Sequence, residues 1–311
     1  MPPLENQPAA ALPQSGVADF AAPALRDYFE LTKPRITLLV VISTAVGYCF
    51  GIEAHVRVAA LLNVLFSTAM LAAGTATLNQ WYERDIDARM NRTKIRPIPA
   101  GSISAERALV FGVVLCVLAL IDLAVFTNLL AVSLGFLTSF TYLFIYTPMK
   151  RRGPSCTTVG AIPGAMPPLI GFAAASGHLT AEAWILFGMI FLWQFPHFHA
   201  IAWIYREDYA RGDIKMLAVV QPNGKALSRQ IIVTLCLLIP VTIAPVFFAM
   251  AGTIYAIAAL LLGIGFLVIG WEMCLHRDYA HARRLLLTSV MYLPLLFAFL
   301  VLDNPRFSLW H

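Results

Sequence analysis

Three oxygen-bearing side chains, Asn79, Glu83 and Asp87, fall four residues apart in this 311-residue chain. On an α-helix each step of four turns a side chain by only about 40°, so the three share one face and point together. A stripe of amide and carboxylate oxygens suits a hard divalent cation. Mg2+ in particular takes a few such oxygens together with substrate phosphate, in place of a complete protein cage. Arg89, Arg92, Lys94 and Arg96 follow directly, and guanidinium forks match phosphate oxygens. Carboxylates with metal, then arginines, describe a diphosphate site. The basic residues alone would be explained by membrane topology, but acidic residues contribute little to it. Their helical spacing therefore points to chemistry.

A second loop repeats the flavour of the first. Tyr205-Arg206-Glu207-Asp208 aligns with Tyr82-Glu83-Arg84-Asp85 without a gap, and two acidic helix ends facing each other would suit a two-metal diphosphate clamp. Just before it lie Gln194, His197 and His199 in an apolar segment. An ionisable residue within a membrane is a functional candidate by default, against a structural hydrogen-bonding role of equal weight for His197. Asp122 reads as a residue that pairs inside a helix bundle or lies near its outer interface. The five cysteines show neither CxxC nor metal-ligand spacing.

The elements that must hold these residues are transmembrane helices. The chain is 59% hydrophobic and only 13% charged, roughly half the charge of an average soluble domain, with a mean hydropathy of +0.74. This excludes a soluble fold. A spanning helix needs about 20 mostly apolar residues, and nine windows satisfy that: 36–53, 58–78, 106–126, 128–147, 156–175, 182–202, 228–249, 252–272 and 286–303. The expected fold is all-α and polytopic. Residues 1–24, rich in Pro and Ala and without Lys or Arg, read as a disordered tail. Residues 25–311 form a single transmembrane domain.

Twenty of the 22 basic residues fall in the tail and the even-numbered connections, leaving Arg57 and Arg306 for the other side. The positive-inside rule then puts the N-terminus and the long loops in the cytoplasm and the C-terminus in the periplasm. With no secretory or transit-peptide signature, a bacterial inner membrane is the expected location. The net charge of +5 is explained by basic loops facing an anionic leaflet, so nucleic acid is not an expected partner.

The segment Asn79-Gln80-Trp81-Tyr82-Glu83-Arg84-Asp85-Ile86-Asp87-Ala88, with Arg92-Thr93 and Arg96-Pro97, resembles the first signature of the UbiA superfamily of intramembrane prenyltransferases. More narrowly, it resembles the heme O synthase branch, where Gln and Glu stand at positions that carry Asp in most other branches. Further stretches are similar to that branch over nearly the whole chain: Thr32-Lys33-Pro34-Arg35, Tyr146-Thr147-Pro148-Met149-Lys150-Arg151, Gly164-Ala165-Met166-Pro167-Pro168 with Gly171, Trp193-Gln194-Phe195-Pro196-His197-Phe198, and Arg206-Glu207-Asp208-Tyr209. Much of the superfamily has two Asp four apart in the second loop. Here Asp208 has Gly212 at that spacing, and Asp213 is off register.

The resemblance implies nine spans around a central cavity capped by the cytoplasmic loops. It also implies transfer of farnesyl from farnesyl diphosphate to a vinyl group of heme B, giving heme O and diphosphate with Mg2+ as cofactor. It makes Asn79, Glu83, Asp87 and Asp208 the expected metal ligands and catalytic groups. Lys33, Arg35, Arg92, Arg96, Lys150 and Arg151 would hold diphosphate, and His197 and Tyr209 would contact heme. A heme A synthase or terminal oxidase assembly factors would be protein partners. The competing readings are a UbiA-type enzyme acting on another aromatic or quinone precursor and a membrane transporter. Against the transporter stands the placement of dense charge in the loops, since transport sites usually lie at the bilayer midplane.

The basic bias generates a direct topological expectation. A reporter after His311 should be periplasmic and one inserted near Arg92 cytoplasmic, and both on one side would overturn the nine-span arrangement.

Overall fold

The computed structural model describes residues 24–52 and 57–305. The expected tail therefore lies outside the described residues except for Ala24, as do residues 53–56 and Arg306. The described residues are helical throughout, with no strand among them. A short surface helix, α1 (Leu25–Leu31), leads into α2 (Pro34–Gly51), α3 (Val58–Asp87), α4 (Ala105–Phe126) and α5 (Leu129–Phe140). A π-helical turn (Thr141–Tyr146) continues α5 into the three-residue α6 (Thr147–Met149). Then come α7 (Cys156–Ala165), α8 (Pro167–Ser176), α9 (Ala181–Ile204), the loop helices α10 (Arg206–Arg211) and α11 (Leu217–Val220), and α12 (Lys225–Phe247), α13 (Thr253–His276) and α14 (Tyr279–Leu302).

Among the described residues nine helical segments are long and apolar enough to cross a membrane, with α5 to α6 counting as one and α7 with α8 as another. This agrees with the nine expected windows. The largest shift of a helix start is in α14, which begins at Tyr279 because Asp278 caps a polar first turn, accepting from His281 N–H at 2.9 Å. Ser104 and Asn128 cap α4 and α5 in the same way, accepting from the amides of Arg107 and Ala131. Outward faces carry Leu, Val, Ile and Phe, as at Val113, Val117 and Ile121 of α4, where more than two-fifths of each side chain is exposed. Such a surface matches lipid tails and not water.

Several polar groups at depth pair between helices. Asp122 of α4 accepts from Asn63 Nδ2 at 3.1 Å and from Ser67 Oγ, the in-bundle pairing expected for it. Trp193 Nε1 of α9 donates to the Ser289 carbonyl of α14 at 2.8 Å, and His199 Nε2 lies 2.8 Å from Gln230 Oε1 of α12.

Among the glycine contacts, the tightest against backbone join α2 and α8. A Cβ at Gly47 would stand 2.0 Å from the Pro168 carbonyl oxygen, and one at Gly171 the same distance from that of Thr44. Small residues allow this contact where lipid gives no hydrophobic drive for helix association. All buried residues of α2 fall between Ser43 and Gly51. Its first half, beginning at Pro34, packs more loosely, with Ile36 and Leu38 each 60% exposed while Leu39 touches the core.

This seam sets an expected outcome for glycine replacement. Gly47→Ala should lower the melting temperature in detergent, with overpacking costing about 1–3 kcal/mol. Gly265→Ala, at a position where nothing lies within 4 Å of an added Cβ, should leave it unchanged or raised. Equal melting curves for the two variants would show that the seam yields.

Candidate active site

The helix that carries the oxygen stripe runs without interruption to Asp87, so the expected alignment holds. α3 extends past its apolar part, and Asn79, Glu83 and Asp87 are all buried on one face. A cavity of about 340 Å³ lies against that face. The chain closes over it with Met90, Arg92, Thr93 and Arg96 after α3, with Lys150 after α6, and with Tyr209 of α10 and Ile214 and Met216 beyond it.

Each oxygen group meets a cation from elsewhere in the sequence. Lys33 Nζ donates to Asn79 Oδ1 at 3.0 Å, Lys150 Nζ to Glu83 Oε1 at 2.7 Å, and Arg96 Nη1 to Asp87 Oδ2 at 2.6 Å. Asn79 Nδ2 in turn donates to Thr147 Oγ1 at 3.2 Å. With Arg92, four cations line the cavity against two carboxylates. That imbalance attracts an anion. Its strain is visible at Lys33, whose ammonium is pulled down to about 7 by burial first, then by the nearby Arg96 and Lys150. Burial also works against the charge of Lys150, but the Glu83 carboxylate, with Tyr146 and Tyr142, outweighs it and holds its pKa well above the ordinary value.

Lys33 reaches the site from an unusual backbone position. It adopts φ +48 as the residue before α2, where the following Pro34 disfavours the right-handed helical region. A non-glycine residue in that conformation is uncommon and costs energy, a pattern that clusters at functional sites.

Arg92 stacks over the rings of Tyr205 and Tyr209, with its guanidinium carbon 4.5 and 5.4 Å from their centroids. Its Nη2 donates to the Tyr209 hydroxyl at 3.4 Å, while its buried Nε has no partner. An unsatisfied buried donor in a cation-lined cavity fits phosphate oxygen. The donor set fits Mg2+ as well: Asn79, Glu83 and Asp87 offer hard oxygens on one face, and among the described residues no three His, Cys, Asp or Glu close into a full cage. Mg2+ completes such a partial shell with water and substrate phosphate.

Several expected residues sit elsewhere. Asp208 does not line the cavity. Its carboxylate accepts from the amides of Asn91 and Arg92 at 3.1 and 3.2 Å and from Arg211, so it fixes the loop that carries Arg92. Desolvation opposes its charge, but Arg211 and those two amides prevail and hold its carboxyl below the ordinary value. Asp85, its partner in the Tyr-x-x-Asp match, has a side chain 78% exposed, so the two loops are not equivalent in space. Arg151 points outward to Asp213 at 3.3 Å, and Arg35 lines an outer groove with Arg26. His197 stacks on Trp193 and lies 2.8 Å from Ser289 Oγ, away from the cavity lining. Tyr209 does line the cavity.

The structure adds residues that the spacing did not reveal. Tyr142, Tyr146 and Phe198 line the cavity, with Lys150 Nζ 4.7 Å from the Tyr146 ring centre. Both tyrosines lie in the π-helical turn, which precedes Pro148. Proline lacks the amide that an α-helix needs there and crowds the carbonyl four residues back, and a wider turn relieves both.

The fold and site have recognisable relatives. Residues 40–300 match the model of the UbiA prenyltransferase family. The chain is 50% identical to the protoheme IX farnesyltransferase of Solibacter usitatus (strain Ellin6076), over 90% of this chain and 99% of the relative. It is 43% identical to that of Koribacter versatilis (strain Ellin345), over 94% and 97%. Among solved structures, a digeranylgeranylglyceryl phosphate synthase superposes with a TM-score of 0.76 at 17% identity, covering 91% of this chain and 99% of that one. A UbiA homologue from Archaeoglobus fulgidus bound to DMAPP and Mg2+ superposes at 0.65 and 18% identity, covering 88% and 99%. The charged cavity over one face of α3, the nine apolar spans and these matches lead to one assignment: the chain is a multi-pass membrane protein of the UbiA prenyltransferase family, in its protoheme IX farnesyltransferase branch.

Proposed function

We propose that the chain transfers a farnesyl group from farnesyl diphosphate to a vinyl group of heme B, releasing diphosphate and giving heme O. The observation that carries this reading is the cavity in which four cations outnumber two carboxylates beside an apolar bundle interior. Only a substrate with a strongly anionic head and a lipid-like tail uses both. The half-identical farnesyltransferase relative supports heme as the acceptor.

Mg2+, held by Asn79, Glu83 and Asp87, would neutralise charge on the leaving diphosphate. The protein's own cations share that work. Lys33, Arg96 and Lys150 already bond to the oxygens of α3 and would turn toward phosphate as it arrives, with Arg92 offering its unpaired Nε. Their attraction grows as the carbon–oxygen bond breaks and negative charge collects on the leaving group. The ring faces of Tyr142, Tyr146 and Phe198 would stabilise positive charge on the allylic carbon. The heme vinyl carbon bonds to that carbon as diphosphate departs. Water then adds to the heme-side cation and gives up a proton, leaving a hydroxyethylfarnesyl group.

Asp208 is a positioning residue in this scheme, acting through the amides of Asn91 and Arg92. A bacterial inner membrane with cytoplasmic loops is supported by the distribution of basic residues.

The test is to incubate the purified chain with heme B, farnesyl diphosphate and Mg2+ and to weigh the extracted heme. Heme O should appear only when all three are present, and unchanged heme B would refute the proposal. Asp87→Ala should cut kcat by on the order of 10²–10³-fold in protein that still folds, and near-normal turnover would remove the stripe from the chemistry. Asp208→Ala should instead raise KM for farnesyl diphosphate, on the order of 10–100-fold, by releasing Arg92. Asp213→Asn, at an exposed surface pair, should change neither constant appreciably. A fall in kcat alone for Asp208→Ala would make it a ligand and not a support.

A further inference from the structure

Below the charged cavity the same face of α3 continues into the membrane with different chemistry. Thr75, Ala72 and Thr68 follow Asn79 at helical spacing and line a second, apolar cavity, closed on other sides by Val40 of α2 and by Pro167 and Ile170. The two cavities share Lys33, Ile36 and Tyr142. One helix face thus presents oxygens for a head group and then small side chains that leave room for a tail.

The second cavity has a floor. On α3, Thr68 is 1% exposed and Val64, one turn further, is fully buried. Ile170 closes the opposite side at 1%. On α2 the opening ends where the backbone of Thr44 meets Gly171, since an added Cβ there would stand 2.0 Å from the Thr44 carbonyl oxygen. Eleven residues separate Asn79 from Thr68, and eleven separate Lys33 from Thr44. At about 1.5 Å per residue both give a depth of roughly 16 Å. An extended three-isoprene chain is about 14 Å long at ordinary carbon–carbon bond lengths, and a fourth isoprene adds about 5 Å more.

We propose that this floor, formed by Thr68, Ile170 and the α2–α8 seam, sets the prenyl length, admitting three isoprene units and excluding a fourth. The inference rests on the prenyl-transfer reading above. A chain that is too long would hold its C1 above the cations, so the diphosphate could not settle between Lys33 and Arg96. A chain too short would leave apolar volume unfilled, which weakens selection only modestly.

The experiment is a competition. The purified full chain receives heme B, Mg2+ and equal amounts of geranyl, farnesyl and geranylgeranyl diphosphate, and the prenylated hemes are separated by mass. The unaltered chain should give mainly the farnesyl product. Ala72→Phe, which fills the cavity one turn above the floor, should raise the geranyl-to-farnesyl ratio at least ten-fold. Thr68→Ala and Ile170→Ala, which deepen it, should raise the geranylgeranyl share at least ten-fold. Folding of each variant is checked by its melting curve, and either deepening variant decides the matter if the bulky one does not fold. Product ratios unchanged in the folded variants would overturn the inference and show that the tail leaves the cavity sideways. No prenylated heme of any length from the unaltered chain would instead overturn the transfer reading, and this inference with it.

Discussion

A carboxylate placed at the end of an apolar span and shielded from water is tolerable only with a partner, and the architecture of the loops over the cavity follows from that need. The Glu83 and Asp87 side chains are 8% and 1% exposed. Removing either partner of such a pair leaves a buried charge uncompensated, which costs several kcal/mol. The chain therefore brings Lys150 across from α6 and folds Arg96 back from the following loop. Those two contacts fix the register in which the loops lie over the cavity. In the proposed reaction they would also store cations beside the place where an anion is received, so the groups that satisfy the resting protein would be the groups that meet the substrate.

The second loop is tied to this frame through first-loop backbone and through Arg92, which stacks on Tyr205 and Tyr209. Asp208 holds two consecutive amides of the first loop, Ile214 and Met216 pack against the cavity, and the Lys215 amide donates to the Lys150 carbonyl at 2.8 Å. The two loops therefore move as one cap. A carboxylate does not need to touch metal or phosphate to govern both, provided that it governs where a guanidinium sits.

The stripe on α3 and the nine spans were legible because both are periodic in one helix and need no knowledge of the rest of the chain. Asn79, Glu83 and Asp87 read correctly as a shared face for that reason. The contribution of Asp208 was not legible, since an acidic residue near a helix end looks the same whether it faces a cavity or caps a loop. Arg35 and Arg151 were misplaced on similar grounds, because basic loop residues carry no phase that tells inward from outward. Tyr142, and the cavity position of Tyr146, escaped notice because the π-helical turn breaks the 3.6-residue period by which a face is found. His197 offered two equal readings, and its Ser289 contact depends on α14, which lies 92 residues further along. Family resemblance supplied what spacing could not, the identity of the acceptor.

The uneven burial of α2 has a mechanical consequence. One half of this helix is pressed against α8 with no room for sliding, while the other half, from Pro34 to Ile42, has no buried residue. It is a rod pressed along one half and pinned again at its tip, where Leu31 is fully buried with its carbonyl accepting from Gln80 Nε2 at 2.9 Å, and Lys33 Nζ donates to Asn79 Oδ1 at 3.0 Å. A rod held at both ends yields most in its middle, where Ile36 and Val40 border the apolar cavity. Bending there would change the width of that cavity while leaving its depth constant.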